Sequence, residues 1–241
     1  MRLYLLHSSF LRVKNTSYFL IHILAALLFP VLLFLYWNQR GNLQSRTVLF
    51  SYFQIMGVLL PFAFSIVSLQ LKNIEEESGK YKYLLGYSQS QYMPFFVELI
   101  FLWLCYCIVL TVSIIIFCSL LRIIGIEVSI WLLFLNSLFY IFFAFIAYML
   151  HHIISYVFST GIALGTSIVG VIIAAFCETS IGDKVWFFIP WAWFLRISDI
   201  LFTHQKIYAT PLVIIVIISI TILLLHMRVF QNWNQDSLTN S

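Results

Sequence analysis

Apolar and polar positions in this chain fall into long blocks rather than short alternations. Asn15–Gln39 and Thr47–Leu71 are each 25 residues without a charge, Leu99–Leu121 is 23, Val128–Cys177 is 50 and Ile207–Met227 is 21. A helix rises 1.5 Å per residue, so about 20 apolar residues cross roughly 30 Å of hydrocarbon. The longest block is therefore two crossings. Its adjacent polar pair, His151-His152, marks the expected turn and divides it into 128–150 and 153–176. Six helices are predicted, at about 17–37, 48–70, 95–121, 128–150, 153–176 and 207–227. Strands of a membrane barrel would alternate over about 10 residues, and these Leu/Ile/Phe runs do not. The expected fold is an all-α integral membrane protein, one transmembrane domain over residues 1–241.

Composition extends this reading to the whole chain. With 62% hydrophobic and 9% charged residues, there is too little polar material to solvate a globular surface. The net charge of +4 is dispersed and forms no basic patch, which argues against nucleic acid as a partner. Ahead of the first span, Leu3, Leu6, Phe10 and Val13 recur at helical spacing, with Arg2, His7, Arg12 and Lys14 off that stripe. Residues 1–16 are therefore expected to form an interfacial elbow helix in the lipid bilayer surface. They are not expected to be a cleaved signal peptide, because the apolar run that follows exceeds a 7–15-residue signal core.

An even number of spans puts both termini on one side. With the N-terminus inside, seven basic residues fall on inner segments and six on outer ones, so charge barely orients the chain. The three basic residues before the first span favour N-inside.

Catalytic signatures are mostly missing. Gly79-Lys80 lacks the upstream glycine and the following Ser/Thr of a phosphate-cradling loop. Cys105, Cys107, Cys118 and Cys177 read as small buried hydrophobes, without metal-ligand spacing to histidine. His151-His152 reads as a pair of interfacial residues at the fourth turn of the chain. Glu98, about one turn into the third predicted span, is the one carboxylate inside a span. Intramembrane carboxylates are functional candidates by default; near a helix start, Glu98 could instead reach headgroup water or the N-terminal dipole. A structural role and a gating role both stand. Gly161-x-x-x-Gly165 offers a helix contact, either between subunits or within one.

The charged hinge after the second span is the strongest lead. Between Glu75 and Ser88, Tyr81, Leu84 and Leu85 recur with helical spacing, acidic residues crowd the first turns, and Gly86 is a natural stop. That pattern predicts a short amphipathic helix on the membrane face. The order Glu75-Glu76-Glu77-Ser78-Gly79-Lys80-Tyr81-Lys82-Tyr83-Leu84-Leu85 resembles the loop between the second and third spans of type-2 ABC exporter permeases. In that family the loop carries a coupling helix that docks on the ATPase. The six-helix plan, the elbow and a large segment between spans five and six are similar too. Within the family the chain looks most like the small permease subunits of lantibiotic self-immunity transporters, although Gly86-Tyr87-Ser88-Gln89 replaces the proline or small-residue-Arg turn that many relatives have there.

The resemblance implies that Glu75, Glu76, Glu77, Gly79, Lys80, Tyr81, Leu84 and Leu85 dock a separate ATP-binding cassette subunit. ATP and Mg would then sit on that partner, and none would be bound by this chain. It implies a second permease subunit, homologous or identical, and a bacterial plasma membrane with both termini cytoplasmic. Gln89 would face inside and Gly182 outside. The outer segment, Glu178–Lys206, packs seven residues into nine positions that suit a headgroup layer: Trp186, Phe187, Phe188, Pro190, Trp191, Trp193 and Phe194. As in the family, it would form two short re-entrant helices broken at Pro190. These aromatics read either as a plain belt or as a platform where Trp186, Trp191, Trp193 and Phe194 meet a cationic amphipathic peptide. The expected function is export of such a membrane-active antimicrobial peptide. Other readings are export of an amphipathic drug or lipid, a six-span intramembrane enzyme, and a membrane scaffold. Against the enzyme stands the lack of paired catalytic groups at one depth.

Overall fold

The computed structural model describes residues 3–41, 44–77, 91–203 and 208–233. Eight α-helices carry these segments: α1 (Leu3–Val13), α2 (Tyr18–Asn38), α3 (Ser45–Glu77), α4 (Tyr92–Ile123), α5 (Ile130–Val157), α6 (Thr160–Cys177), α7 (Trp193–Thr203) and α8 (Ala209–Gln231). Among them α2, α3, α4, α5, α6 and α8 are long and apolar enough to cross a membrane, in agreement with the six predicted spans. Between α6 and α7 the chain makes three short 3₁₀ turns, Ser180–Lys184, Trp186–Phe188 and Pro190–Ala192.

Two boundaries differ from the sequence reading in ways that matter. The chain does not turn at His151-His152: α5 runs through both histidines to Val157, and the turn lies at Phe158-Ser159. Ser159 stands in an extended conformation immediately before α6, where serine suits a helix start. The histidines are helical because each finds a partner inside the bundle. Likewise α3 does not stop at Leu71; it continues to Glu77. At 33 residues it is about 50 Å long, well beyond a hydrocarbon core. The separate amphipathic helix expected from Glu75 to Ser88 therefore begins inside α3, and its remainder lies outside the described residues.

Within the bundle α3 is central. It packs against α5, α6 and α7, while α2 lies mainly against α4. Its buried stripe carries small or kinked positions where neighbours come close. At Gly57 a Cβ would meet the Tyr140 hydroxyl at 2.9 Å and Phe194 at 3.3 Å, so only glycine lets α5 and α7 approach there. Gly170 plays the same part on α6, where a Cβ would lie 3.0 Å from the Trp191 ring and 3.2 Å from Pro61. By contrast a Cβ at Gly161 or Gly165 would meet nothing within 4 Å among the described residues, so close packing there does not require glycine. In α1, Val13 is buried and Leu6 packs on the core, whereas Phe10 is half-exposed and rests against Phe19.

Alternation of the six long helices sets α1, the C-terminal ends of α3, α5 and α8, and the start of α4 at one end of the bundle. The 178–203 segment sits at the other. Cysteines placed at Gln89, in the α3–α4 connection, and at Ile181, which is 74% exposed, should therefore label from opposite membrane faces. Labelling of both from one face would rule out six crossings. Gly182 is unsuitable for this experiment, because a Cβ there would collide with the Cys177 backbone.

Candidate functional site

At the α1 end, five helices bring seven ionisable or hydroxyl side chains together. Arg12, on the last turn of α1, is 19% exposed and pairs with Glu75 at the end of α3. It also donates from Nη2 to Ser9 Oγ at 3.0 Å. Glu75 lies beside Glu98 of α4, their carboxyls within hydrogen-bond reach of each other. Glu98 has no exposed surface and accepts the Tyr156 hydroxyl on Oε2 at 2.8 Å. His152 Nε2 stands 3.5 Å from the same oxygen. Behind it, His152 Nδ1 and His226 Nε2 are 3.1 Å apart, joining α5 to α8.

An aromatic shell closes this line off. Phe95, Tyr156, Phe230 and Trp233 form a separate buried cluster with Ile153. The His152 and His226 rings stack at 5.3 Å, and Phe230 flanks both. Repeats of four explain the geometry: His152 and Tyr156 on α5, and His226 and Phe230 on α8, each share a face.

Glu98 is thus not placed as expected. It lies two turns into α4 and is fully buried, so it reaches neither headgroup water nor a free helix terminus. The histidines, expected at an interfacial turn, are buried as well. His152, Tyr156 and His226 were missed for want of pairing information, although a histidine in the last apolar span is a signal of the same kind as Glu98. Of the expected docking residues, Glu75 is buried in this line, while Glu76 and Glu77 are exposed on the same turn. Gly79, Lys80, Tyr81, Leu84 and Leu85 lie outside the described residues.

The aromatic segment at the far end is mostly core. Trp193 and Phe194 have no exposed surface, and Trp186 is buried. They therefore do not offer ring faces to a ligand as the platform reading requires; Trp193 spends its N–H on the Phe187 carbonyl at 3.1 Å. Trp191 is half-buried and donates to His151 Nε2 at 3.1 Å. Phe188 and Val185 remain exposed. What holds the segment is Arg196 of α7. Its Nε donates to the Cys177 carbonyl at 2.5 Å, and its Nη2 to the Thr179 carbonyl at 2.8 Å and Asp183 at 2.6 Å. These bonds satisfy carbonyls that the end of α6 leaves open. Glu178, half-buried next to them, is pushed up to about 7, first by burial and then by Asp199.

Midway between the two ends, a cavity of about 350 Å³ opens between α2 and α3, with Tyr106 and Tyr148 at its back. The Tyr106 hydroxyl is buried and has no partner among the described residues. No group of three ligating side chains among the described residues is arranged to hold a metal ion. In comparisons with known proteins, no family model, no curated protein and no solved structure matches this chain.

Arg196→Met should strand the buried Cys177 carbonyl, while Thr179 keeps the Gly182 N–H, and lower stability by about 1–3 kcal/mol, read as a drop in thermal midpoint of the solubilised protein. Glu178 sets a pH dependence. The folded chain keeps its proton between the ordinary value near 4.5 and about 7, where the unfolded chain has lost it, so stability falls as pH rises across that window. In Glu178→Gln that fall should flatten, measured by thermal unfolding at several pH values.

Proposed function

We propose that this chain is the membrane subunit of an ATP-driven exporter, removing a cationic amphipathic antimicrobial peptide from the bilayer of the bacterium that makes it. The ATPase is a separate chain, and a second permease, homologous or identical, completes the pathway. The observation that carries this reading is the corner where α3 meets α4. There the most buried of the six long helices extends past a hydrocarbon thickness, ends on the exposed Glu76 and Glu77, and leads directly into residues 78–90. A partner that pushed on 78–90 would move the central helix directly. Glu75, one residue earlier, ties the same turn to α1, so the elbow would follow.

Substrate contact falls to different residues from those first expected. With Trp193 and Phe194 buried, the exposed Ile181, Val185 and Phe188 and the half-buried Trp191 offer apolar surface on the outer segment. The apolar cavity between α2 and α3 is a second place for an amphipathic molecule to enter from the hydrocarbon.

An intramembrane enzyme is the reading from a different class, and Glu98, His152, His226 and Tyr156 favour it by standing together at one depth. That removes the earlier argument against it. Their complete burial weighs the other way, since a substrate would have to displace the aromatic shell to reach them.

Purification of the tagged chain from its native membrane should bring down an ATP-binding subunit. Leu84→Asp or Leu85→Asp should leave insertion intact, weaken that association and abolish peptide resistance. Each places a charge in an apolar docking face and forfeits about 1.5–3 kcal/mol of leucine burial. Normal resistance with normal ATPase association in both variants would sink the docking assignment, and absence of any ATPase would sink the exporter.

A further inference from the structure

The seam between α2 and α3 holds two hollows of unlike chemistry. The deeper is the cavity of about 350 Å³, whose exposed lining is almost all carbon. The other is a groove of about 520 Å³ bounded by the end of α2, the start of α3 and the end of α6. Leu59 lines both. Ile55, Leu59 and Phe62 are exposed and recur at spacings of four and three, so an apolar face of α3 leads from the groove into the cavity. From Gln54 in the groove to Ile66 in the cavity is about 18 Å of helix, roughly one leaflet of a 30 Å hydrocarbon core. Polar groups gather in the groove. Glu178 is half-buried there, and its Oε2 has no hydrogen-bond partner among the described residues. Gln54 stands beside it, donating to the Leu195 carbonyl. Arg196 and Asp199 of α7 also face Glu178, but the guanidinium spends its hydrogen bonds on the Cys177 and Thr179 carbonyls and on Asp183. From α2, Trp37 brings an indole N–H that likewise has no partner among the described residues. Arg40, exposed at the end of α2, lies 4.7 Å over the Tyr36 ring and 5.9 Å from that of Trp37.

We propose that this seam binds one phospholipid of the leaflet at the 178–203 end, with an ammonium in its headgroup. Glu178 receives the ammonium, Arg40 and the Trp37 N–H hold the phosphate, and an acyl chain follows Ile55 and Leu59 into the cavity. Charge complementarity selects this occupant. A zwitterionic headgroup presents both signs at once, to a groove with a cation and a free donor on one side and a carboxylate on the other. A free phosphate would set an anion against Glu178 and leave the apolar cavity unfilled. A plain organic cation would leave Arg40 and the indole N–H unused. An ammonium that still carries N–H groups gives Glu178 charge-assisted hydrogen bonds, about twice as strong as neutral ones. It also offsets the burial that pushes this carboxyl up to about 7, so the bound lipid keeps Glu178 ionised. The tyrosine and tryptophan on α2 suit the headgroup layer in which this exchange takes place.

The site is independent of the exporter reading, and its test needs no transport. The purified full chain is equilibrated at mildly alkaline pH in micelles holding equal amounts of phosphatidylethanolamine and phosphatidylglycerol with identical acyl chains. Lipid retained by the protein is then counted by native mass spectrometry. Phosphatidylethanolamine should be retained in preference, one molecule per chain. Glu178→Gln keeps the shape of the side chain and should lower that retention about tenfold, the effect of losing one charge-assisted hydrogen bond, and remove the preference. Leu59→Trp narrows the apolar passage from an exposed position, far from the headgroup groups, and should lower retention of both lipids. Equal retention of the two lipids by the unaltered chain overturns the site, whether or not Glu178→Gln folds. So does a preference that survives Glu178→Gln, or full retention in folded Leu59→Trp. A lysine-bearing amphipathic peptide added to the same micelles provides the remaining arm. Binding of the peptide that Glu178→Gln abolishes, with no phosphatidylethanolamine retained in its absence, would assign the groove to a peptide and overturn the lipid.

Discussion

The seam along α3 is the contact on which the rest of the bundle depends. Surrounding lipid is as apolar as leucine, so helices in a bilayer associate by close packing and internal hydrogen bonds rather than by escape from water. This helix supplies both. Gly57 admits Tyr140 and Phe194, Gly170 admits Pro61 and Trp191, and Phe64 touches Tyr148 and Phe194. Flanking those contacts, Gln54 donates to the Leu195 carbonyl at 3.2 Å, and Ser65 to that of Ala163 at 3.1 Å. Near its start, Arg46 donates to the Phe202 carbonyl at 2.5 Å. A larger side chain at Gly57 or Gly170 would push α5, α7 or the turn at Trp191 outward and break several of these bonds together.

The two ends of the bundle meet the demand for polar pairing differently. In an apolar medium every backbone group must be satisfied from within the protein, and at the 178–203 end one arginine does this for the Cys177 carbonyl while also reaching Thr179 and Asp183. At the α1 end the polar atoms belong to side chains, and an aromatic shell rather than a backbone surrounds them. The first arrangement is a brace: its donors and acceptors are fixed in number. The second contains groups whose proton count can change.

Much of the architecture was legible in the chain, because crossing length and the absence of charge are one-dimensional properties. Each of the six predicted spans became a long helix, and of the α1 stripe Leu6 and Val13 pack on the core while Phe10 stays half-exposed. The misplaced turn at His151-His152 has a physical reason. Polarity alone suggests an aqueous position, and only the three-dimensional fold supplies Trp191, Glu98 and His226 as partners that make burial tolerable. Glu98 was visible as an anomaly, but its company was not, since Arg12, Glu75, Tyr156 and His226 lie on four other helices. The aromatic cluster near Pro190 misled in the opposite sense: its composition suits a headgroup layer, yet a tryptophan whose N–H is already met by a backbone carbonyl can be fully interior, as Trp193 is.

Adjacent positions on a helix diverge by about 100° around its axis, and α5 uses this at His151 and His152. The first engages Trp191 and the second the line to Glu98 and His226. Two neighbouring residues thus key one shaft into two different housings. A twist that improved one engagement would spoil the other, and so would a slide of a single 1.5 Å step. α5 therefore has one rotational setting, and a displacement of the Trp191 turn, of α8 or of α5 itself must carry all three as a single rigid piece.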